Sequence, residues 1–135
     1  MKTKTVLTLT DALRMTQAAR AEADRNGWAV VIAIVDDGAH LLCLERMDGC
    51  KLGSIETARR KAESSVLFAR PTKSLEDIVS TRSAMLKLPN ATPIQGGLPI
   101  EHNGMLVGGI GVSGVQSGQD EQIAAAGCAA LLARD

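Results

Sequence analysis

Short continuous apolar runs alternate with amphipathic stretches along this chain. Residues 28–35 form an unbroken apolar run rich in β-branched side chains, which predicts a central strand buried on both faces. Residues 36–39 are predicted to form a turn, and residues 40–46 the second arm of a hairpin. Residues 98–101 and 105–112 flank His102-Asn103-Gly104. Because Asn-Gly between apolar runs is a strong hairpin signal, they predict a second hairpin.

Four helices are predicted from capping residues and from apolar positions three or four apart. The first begins with a capping box of Thr8 and Asp11 and ends near residue 25, where Asn26-Gly27 supplies a left-handed stop.

The other three helices are predicted to begin at Ser54, Ser74 and Ser117, each as a capping residue. Arg70-Pro71 ends the second helix, since proline cannot continue a helix. The last helix is predicted to end near Ala133. The apolar members of the third helix are Ile78, Met85 and Leu86.

The predicted element order is therefore α-β-β-α-α-β-β-α, in a single domain over residues 1–135. Two antiparallel hairpins surrounded by helices predict an α+β layered fold. A chain of 135 residues can bury roughly two thirds of its unfolded surface, so its core needs no metal or disulfide.

Composition excludes several classes of function. Aromatic residues are 1% of the chain, and its 15 basic and 15 acidic residues cancel. Base-stacking platforms and basic stripes, the usual features of nucleic-acid binding, are therefore not expected. No apolar run suits a secretion signal or a membrane span. With three cysteines, an odd and low number, we expect free thiols in a cytoplasmic protein.

Glycine is concentrated in the second predicted hairpin. Eight of the thirteen glycines lie between Gly96 and Gly118. Glycine weakens a strand, so this density indicates that bare backbone is needed there. A neighbouring helix, a second subunit or a ligand must come close, and we predict the functional site in this region.

Several segments together resemble the GlcG/HbpS family, which includes the C-terminal domain of PduO-type proteins. The resemblance covers about residues 7–132. The segments that carry it are Val35-Asp36-Asp37-Gly38-Ala39-His40-Leu41, Glu45-Arg46-Met47-Asp48-Gly49, Arg60-Lys61-Ala62, Gly96-Gly97-Leu98-Pro99-Ile100, Gly108-Gly109-Ile110-Gly111-Val112-Ser113-Gly114 and Asp120.

The resemblance implies a profilin-like fold of α/β/α layers with an antiparallel sheet. It also implies a homo-oligomer, a tetramer or an octamer. Some relatives bind haem, and others accompany glycolate or diol metabolism without an assigned reaction. Haem is therefore the candidate cofactor. Because unrelated functions share one fold, this resemblance specifies the fold more firmly than the function.

The ligand-binding candidates follow from the glycine-rich hairpin and from one turn. Arg46 can clamp a carboxylate, such as a haem propionate; the alternative is an ion pair with Asp48 or Asp36 that holds the turn. The loop after Gly114 leads into a helix N-terminus that can bind an anion, unless Ser117 and Asp120 already satisfy its donors. The predicted ligand-binding residues are Arg46, Asp48, Gly96, Gly97, Pro99, Gly109, Gly111, Ser113 and Gly114.

His40 and His102 are the candidate axial ligands of a haem iron. No metal site is expected, because His40, Cys43 and Cys50 lack a fourth ligand and the usual zinc spacing.

Three functions remain open at this stage. The first is a small-ligand binding protein that recognises haem or another carboxylate-bearing molecule. The second is an enzyme acting on a small hydroxy acid, aldehyde or diol-derived metabolite. The third is an oligomeric accessory subunit, in which small residues serve assembly alone. The catalytic candidates for the enzyme are Asp36, Arg46, Lys61 and Asp120.

Overall fold

The computed structural model describes residues 1–132 as an antiparallel sheet between two helical layers. The helices are α1 (Leu9–Arg25), α2 (Ser54–Leu67), α3 (Thr72–Thr81) and α4 (Ser117–Leu132), and a 3₁₀ turn covers Ser83–Lys87. The strands are β1 (Val31–Asp36), β2 (Leu41–Arg46), β3 (Gly97–His102) and β4 (Met105–Ser113). The α+β architecture and the element order are as predicted.

The four strands lie in the order β2-β1-β4-β3, and all neighbours are antiparallel. The apolar run predicted a central strand, and β1 is indeed fully buried from Val31 to Val35. One sheet face packs on α1 and α4 through Ile32, Ile110 and Ile123. The other face packs on α2 through Val31, Ala33 and Ala62. The core is thus aliphatic on both sides of the sheet.

The first two helices end in the same way. In α1 the predicted capping box of Thr8 and Asp11 is present, and Gly27 has φ +71° beyond the helix. In α2 the left-handed residue is Ala69, with φ +52°. Arg70 N–H donates to Ser65 O and Ala69 N–H donates to Val66 O, which is the Schellman pattern. The second helix therefore ends at Leu67, before Arg70-Pro71 is reached.

The three serines predicted to cap helices all lie inside those helices, and Ser117 is the first residue of α4. Ser54 is the first residue of α2, not its cap, and makes no capping hydrogen bond. Ser74 lies inside α3, which begins at Thr72 after Pro71. The start of α3 is set by tertiary contact: Thr72 Oγ1 accepts from Gly97 N–H at 2.9 Å on strand β3. A pattern of local capping residues does not contain that contact.

The third helix is also shorter than predicted. It ends at Thr81, because Arg82 leaves the helical region with φ −135° and ψ 85°. Met85 and Leu86 fall in the 3₁₀ turn, where Leu86 is exposed. The end of α4 predicted near Ala133 lies outside the described residues. No helix within residues 1–132 is long and apolar enough to cross a membrane.

Candidate functional site

The glycine-rich strand lies directly beneath helix α2. A Cβ placed on Gly111 would lie 2.0 Å from Ala58 O and 2.5 Å from Ala62 N, and one on Gly109 would lie 2.5 Å from Ala62 O. On the neighbouring strand, a Cβ on Gly97 would lie 2.4 Å from Lys61 O. Heavy atoms cannot approach this closely, so α2 packs backbone against backbone on the sheet.

The close approach predicted from these glycines is therefore made by the chain's own helix. Gly97, Gly109 and Gly111 are fully covered, and no ligand can lie against them while α2 keeps this position. Gly114 has φ +147° and packs on Ala29 O. Ser113, the last residue of β4, is also buried. The expected ligand surface on this strand is thus a packing surface inside the protein.

Two of the four catalytic candidates meet in a buried ion pair beside the same strand. Lys61 Nζ lies 3.2 Å from Asp120 Oδ2 and donates to Val112 O at 3.0 Å. Their side chains are 2% and 3% exposed. Gly96, with φ +132°, passes so close that a Cβ there would lie 2.7 Å from Lys61 Nζ. The pair joins α2, β4 and the start of α4.

Asp120 also accepts a hydrogen bond from the loop that leads into α4. Its Oδ1 accepts from Val115 N–H at 3.2 Å, and Gln119 Oε1 accepts from Gln116 N–H at 3.3 Å. Burial raises the pKa of the Asp120 carboxyl, although the Lys61 ammonium and the Val115 N–H act in the opposite direction. Side chains of α4 therefore satisfy two N–H groups of the loop just before the helix.

Arg46 and Asp36 lie at opposite ends of the sheet. Arg46 is exposed and pairs with Val31 across the strands, whereas Asp36 lies at the far end of β1 opposite Gly108. Within residues 1–132, Arg46 makes an ion pair with neither Asp48 nor Asp36. The structure therefore does not support the alternative in which Arg46 holds the turn through an ion pair.

Asp36 organises the turn between β1 and β2. Its Oδ1 accepts from the N–H groups of Gly38 and His40, each at 2.9 Å, and lies 3.3 Å from His40 Nδ1. Burial opposes ionisation, yet these hydrogen bonds lower the pKa of the Asp36 carboxyl. The His40 side chain is 83% exposed. This pair stabilises a turn and lies outside both cavities described below.

A cavity of about 280 Å³ opens between the N-terminal segment, the start of α1 and the β3–β4 hairpin. His102, a predicted axial ligand, lies in its wall beside Arg14. The remaining lining residues are Thr5, Val6, Leu7, Asp11, Val107 and Leu131. Apolar and polar residues contribute equally to this wall, so a small molecule would meet both apolar surface and polar groups there. Sequence reasoning missed Arg14, because no motif surrounds it on α1.

Pro99 lines a second cavity of about 310 Å³ between β3 and α4. Cys128 shares this cavity, and burial raises the pKa of its thiol to about 11. A thiol with that pKa is protonated near neutral pH and is a poor nucleophile. No group of three metal-ligating side chains occurs among residues 1–132.

Comparisons with a family model and with known proteins identify the same protein family for this chain. A family model described as "Haem degrading protein HbpS-like" matches residues 7–129. Protein GlcG of Escherichia coli K12 is 40% identical over 114 residues, which are 84% of this chain and 85% of GlcG. The resemblance inferred from the sequence motifs is thereby confirmed.

Solved structures of related proteins have the same fold as this chain. A double mutant of HbpS from Streptomyces reticuli has a TM-score of 0.88 at 35% identity, over 96% of this chain and 89% of that one. A complex of PduOC with haem has a TM-score of 0.87 at 30% identity, over 93% of this chain and 95% of that one.

Proposed function

We propose that this chain, which belongs to the HbpS-like family, is a small-ligand binding protein. Its ligand is haem or another carboxylate-bearing molecule. The observation that supports this most is the cavity beside α1, whose wall contains His102 and Arg14 together with apolar side chains. The binding of haem by a structural relative at 30% identity makes haem the first ligand to test.

The residues of this cavity suit haem chemically. The His102 imidazole is of the type that ligates haem iron, and the Arg14 guanidinium is of the type that pairs with a propionate. Val6, Leu7 and Val107 offer apolar surface to a porphyrin. When bound, haem would supply redox and gas-binding chemistry. His40, the other predicted axial ligand, is 83% exposed and stands at the β1–β2 turn.

Titration with hemin tests the haem assignment. We expect the Soret band to shift on binding to the wild type and on binding to His40→Ala, but not on binding to His102→Ala. The reason is that, of these two histidines, His102 lines the cavity and His40 does not. Loss of a nitrogen ligand alters the absorption of the haem iron. An unchanged Soret band in the wild type would exclude haem. An equal shift in His102→Ala would exclude this histidine as its ligand.

The same proposal includes a cytoplasmic, accessory role in small-metabolite metabolism of the glycolate or diol type. One relative, 33% identical, is described as a 15.0 kDa protein in the dhaT-dhaS intergenic region of Citrobacter freundii. An enzymatic function gains less support, because only Lys61 and Asp120 of the four catalytic candidates meet, and both are buried.

The proposed assembly is a homo-oligomer, a tetramer or an octamer. Several large apolar side chains are exposed on the single chain, among them Leu13, Leu52 and Met105, and a second copy can cover such residues. We expect light scattering to give a mass four or eight times the chain mass of 14.2 kDa. A monomer at micromolar concentration would contradict this part of the proposal.

A further inference from the structure

The two edges of the sheet differ in how far they are protected from pairing with another strand. At the β3 edge, Val112 N–H donates to Gly96 O on the neighbouring strand β4 side. Backbone groups alternate in direction along a strand, so those of Gly97 and Pro99 point away from β4. Thr72 Oγ1 accepts from Gly97 N–H at 2.9 Å, and proline has no N–H. A side-chain contact and a proline therefore block this edge.

The edge of β2 has no comparable protection. Met47 N–H donates to Val30 O beside β1, so the same alternation turns the backbone groups of Leu44 and Arg46 away from β1. In the part of the chain that the structure describes, nothing hydrogen bonds to these outward groups. The bulge in β2 lies near its start and leaves residues 43–46 regular. This edge is therefore open to another strand.

The flank of α1 beside the β2 edge is apolar. Arg20 of α1 pairs with Glu45 of β2 at 2.6 Å, so this flank of the helix faces β2. Leu13 lies seven positions before Arg20, and Leu9 four positions before Leu13, which places both leucines on the same flank. They are 53% (Leu9) and 46% (Leu13) exposed. The open edge is thus accompanied by exposed leucines, while the nearby carboxylate is already neutralised.

We propose that the edge of β2 pairs with the β2 edge of a second copy of this chain, antiparallel and across a two-fold axis. An open series of N–H and C=O groups fits a strand, and a two-fold axis normal to the sheet makes two copies of one edge antiparallel. The product is a continuous eight-stranded sheet. The inference rests on the proposed function only in that the chain assembles, and it goes further by naming the surface.

The charges on β2 select one register for this pairing. A two-fold axis at Glu45 would set two carboxylates opposite each other, and one at Arg46 would do so for two guanidinium groups, which is unfavourable. An axis at Cys43 would bring the bulge into the pairing. An axis at Leu44 avoids all three and lets the two leucine residues exchange two backbone hydrogen bonds. The two Arg46 residues are then four positions apart, about 13 Å along the strand.

The position of α1 fits the same arrangement. The helix packs on both β1 and β2, so it lies about half a strand spacing inward from β2. Two α1 helices related by the two-fold axis are then about two strand spacings apart, roughly 10 Å, which is an ordinary distance between packed helices. Leu9 and Leu13 face the space between them. Strand pairing therefore also covers these exposed leucines with their own copies.

Hydrogen exchange resolved by residue tests the pairing without any substitution. In a single chain the Leu44 amide faces solvent, so it is expected to exchange at close to the rate of an unstructured amide. In the assembled protein we expect exchange at least about a hundredfold slower than that rate, because this N–H donates to the second copy. The measurement needs no variant, so it remains decisive even where a substitution disturbs folding.

Variants then separate backbone pairing from side-chain loss. Leu44→Pro removes the outward N–H and is expected to at least halve the mass seen by light scattering, whereas Leu44→Ala keeps that N–H and should retain the assembly. Leu13→Lys places two cations between the helices and is expected to abolish protection of the Leu44 amide. The matched control is Leu86→Lys, an exposed leucine of the 3₁₀ turn, which should leave this protection unchanged. Circular dichroism checks that each variant is folded.

The possible failures are distinguishable. An oligomer in which the Leu44 amide exchanges rapidly, or in which folded Leu44→Pro keeps its full mass, would overturn the strand pairing while the proposed assembly stands. A chain that stays at 14.2 kDa at micromolar concentration would overturn the pairing and the proposed assembly together. The hemin titration reports on ligand binding separately from both.

Discussion

Replacing Gly111 with alanine is expected to destabilise the protein by about 3 kcal/mol or more, although alanine is otherwise the better strand residue. The added Cβ would lie 2.0 Å from Ala58 O and 2.5 Å from Ala62 N. Both atoms belong to the backbone of α2, so no side-chain rotation relieves the overlap. The whole helix must move away from β4, and its contacts with Val31 and Ala33 loosen with it. Urea denaturation monitored by circular dichroism measures the loss.

Gly118→Ala is the matched control for this prediction. Gly118 lies in the first turn of α4, and a Cβ there meets nothing within 4 Å. Alanine in place of a helical glycine is expected to stabilise the protein by about 0.5–1 kcal/mol. The two substitutions add the same methyl group and should act in opposite directions. Equal effects would show that helix packing does not explain the glycine at position 111.

The second large effect is expected at the buried ion pair. Lys61→Met is expected to cost about 3–5 kcal/mol near neutral pH, because it leaves the Asp120 carboxylate buried without its cation. The shape and apolar stem of lysine are largely kept, so lost packing contributes little. Lys73→Met is the control, since Lys73 is 44% exposed and pairs with Asp77 on the surface of α3. That variant should be close to the wild type in stability.

The loss in Lys61→Met should depend on pH in a definite direction. Burial already raises the pKa of Asp120 in the wild type, and removal of the ammonium raises it further. A carboxyl whose pKa is higher in the folded state binds its proton more tightly there, so stability falls as pH rises through that folded pKa. The loss is therefore smallest near the ordinary aspartate value of 3.8 and grows as pH rises above it toward the raised folded pKa.

A double variant tests whether the uncompensated Asp120 carboxylate causes the loss of stability in Lys61→Met. Asp120→Asn retains an acceptor for Val115 N–H but removes the charge, so Lys61→Met with Asp120→Asn should recover much of the stability at pH 7 and lose the pH dependence. Denaturation of the two variants at pH 4.5 and pH 7 makes the comparison. A Lys61→Met loss that is the same at both pH values would refute the account based on an uncompensated carboxylate.

Local rules were sufficient for much of the fold. The Thr8–Asp11 capping box, the Gly27 stop and the Asn103-Gly104 hairpin depend on neighbouring residues alone, and each is present as predicted. Strand β1, which covers Val31–Asp36, was recognisable from the apolar run over residues 28–35, because a short β-branched run suits a strand buried on both faces. These interactions are encoded within a few residues, so a sequence pattern reports them directly.

The candidate site was harder to predict. Glycine density correctly indicated a close approach, but the identity of the neighbour depends on where α2 crosses the sheet. Arg46 and Asp36 looked like partners along the chain and lie at opposite ends of β1. No sequence motif includes Arg14. It lines the cavity only because the fold brings α1 close to His102, which lies 88 positions later in the chain.

The amino-acid sequence by itself determined which helices and hairpins occur and in what order, though not every helix boundary. It also determined the aliphatic core and the need for bare backbone in β4, since each depends on residue type and short-range spacing. Tertiary structure alone decided that α2 fills the space above the glycines, that Lys61 and Asp120 meet out of water, and that a cavity forms beside Arg14. Those outcomes depend on how elements that are distant in the chain pack together. Short-range sequence patterns contain no information on how close such elements lie in space.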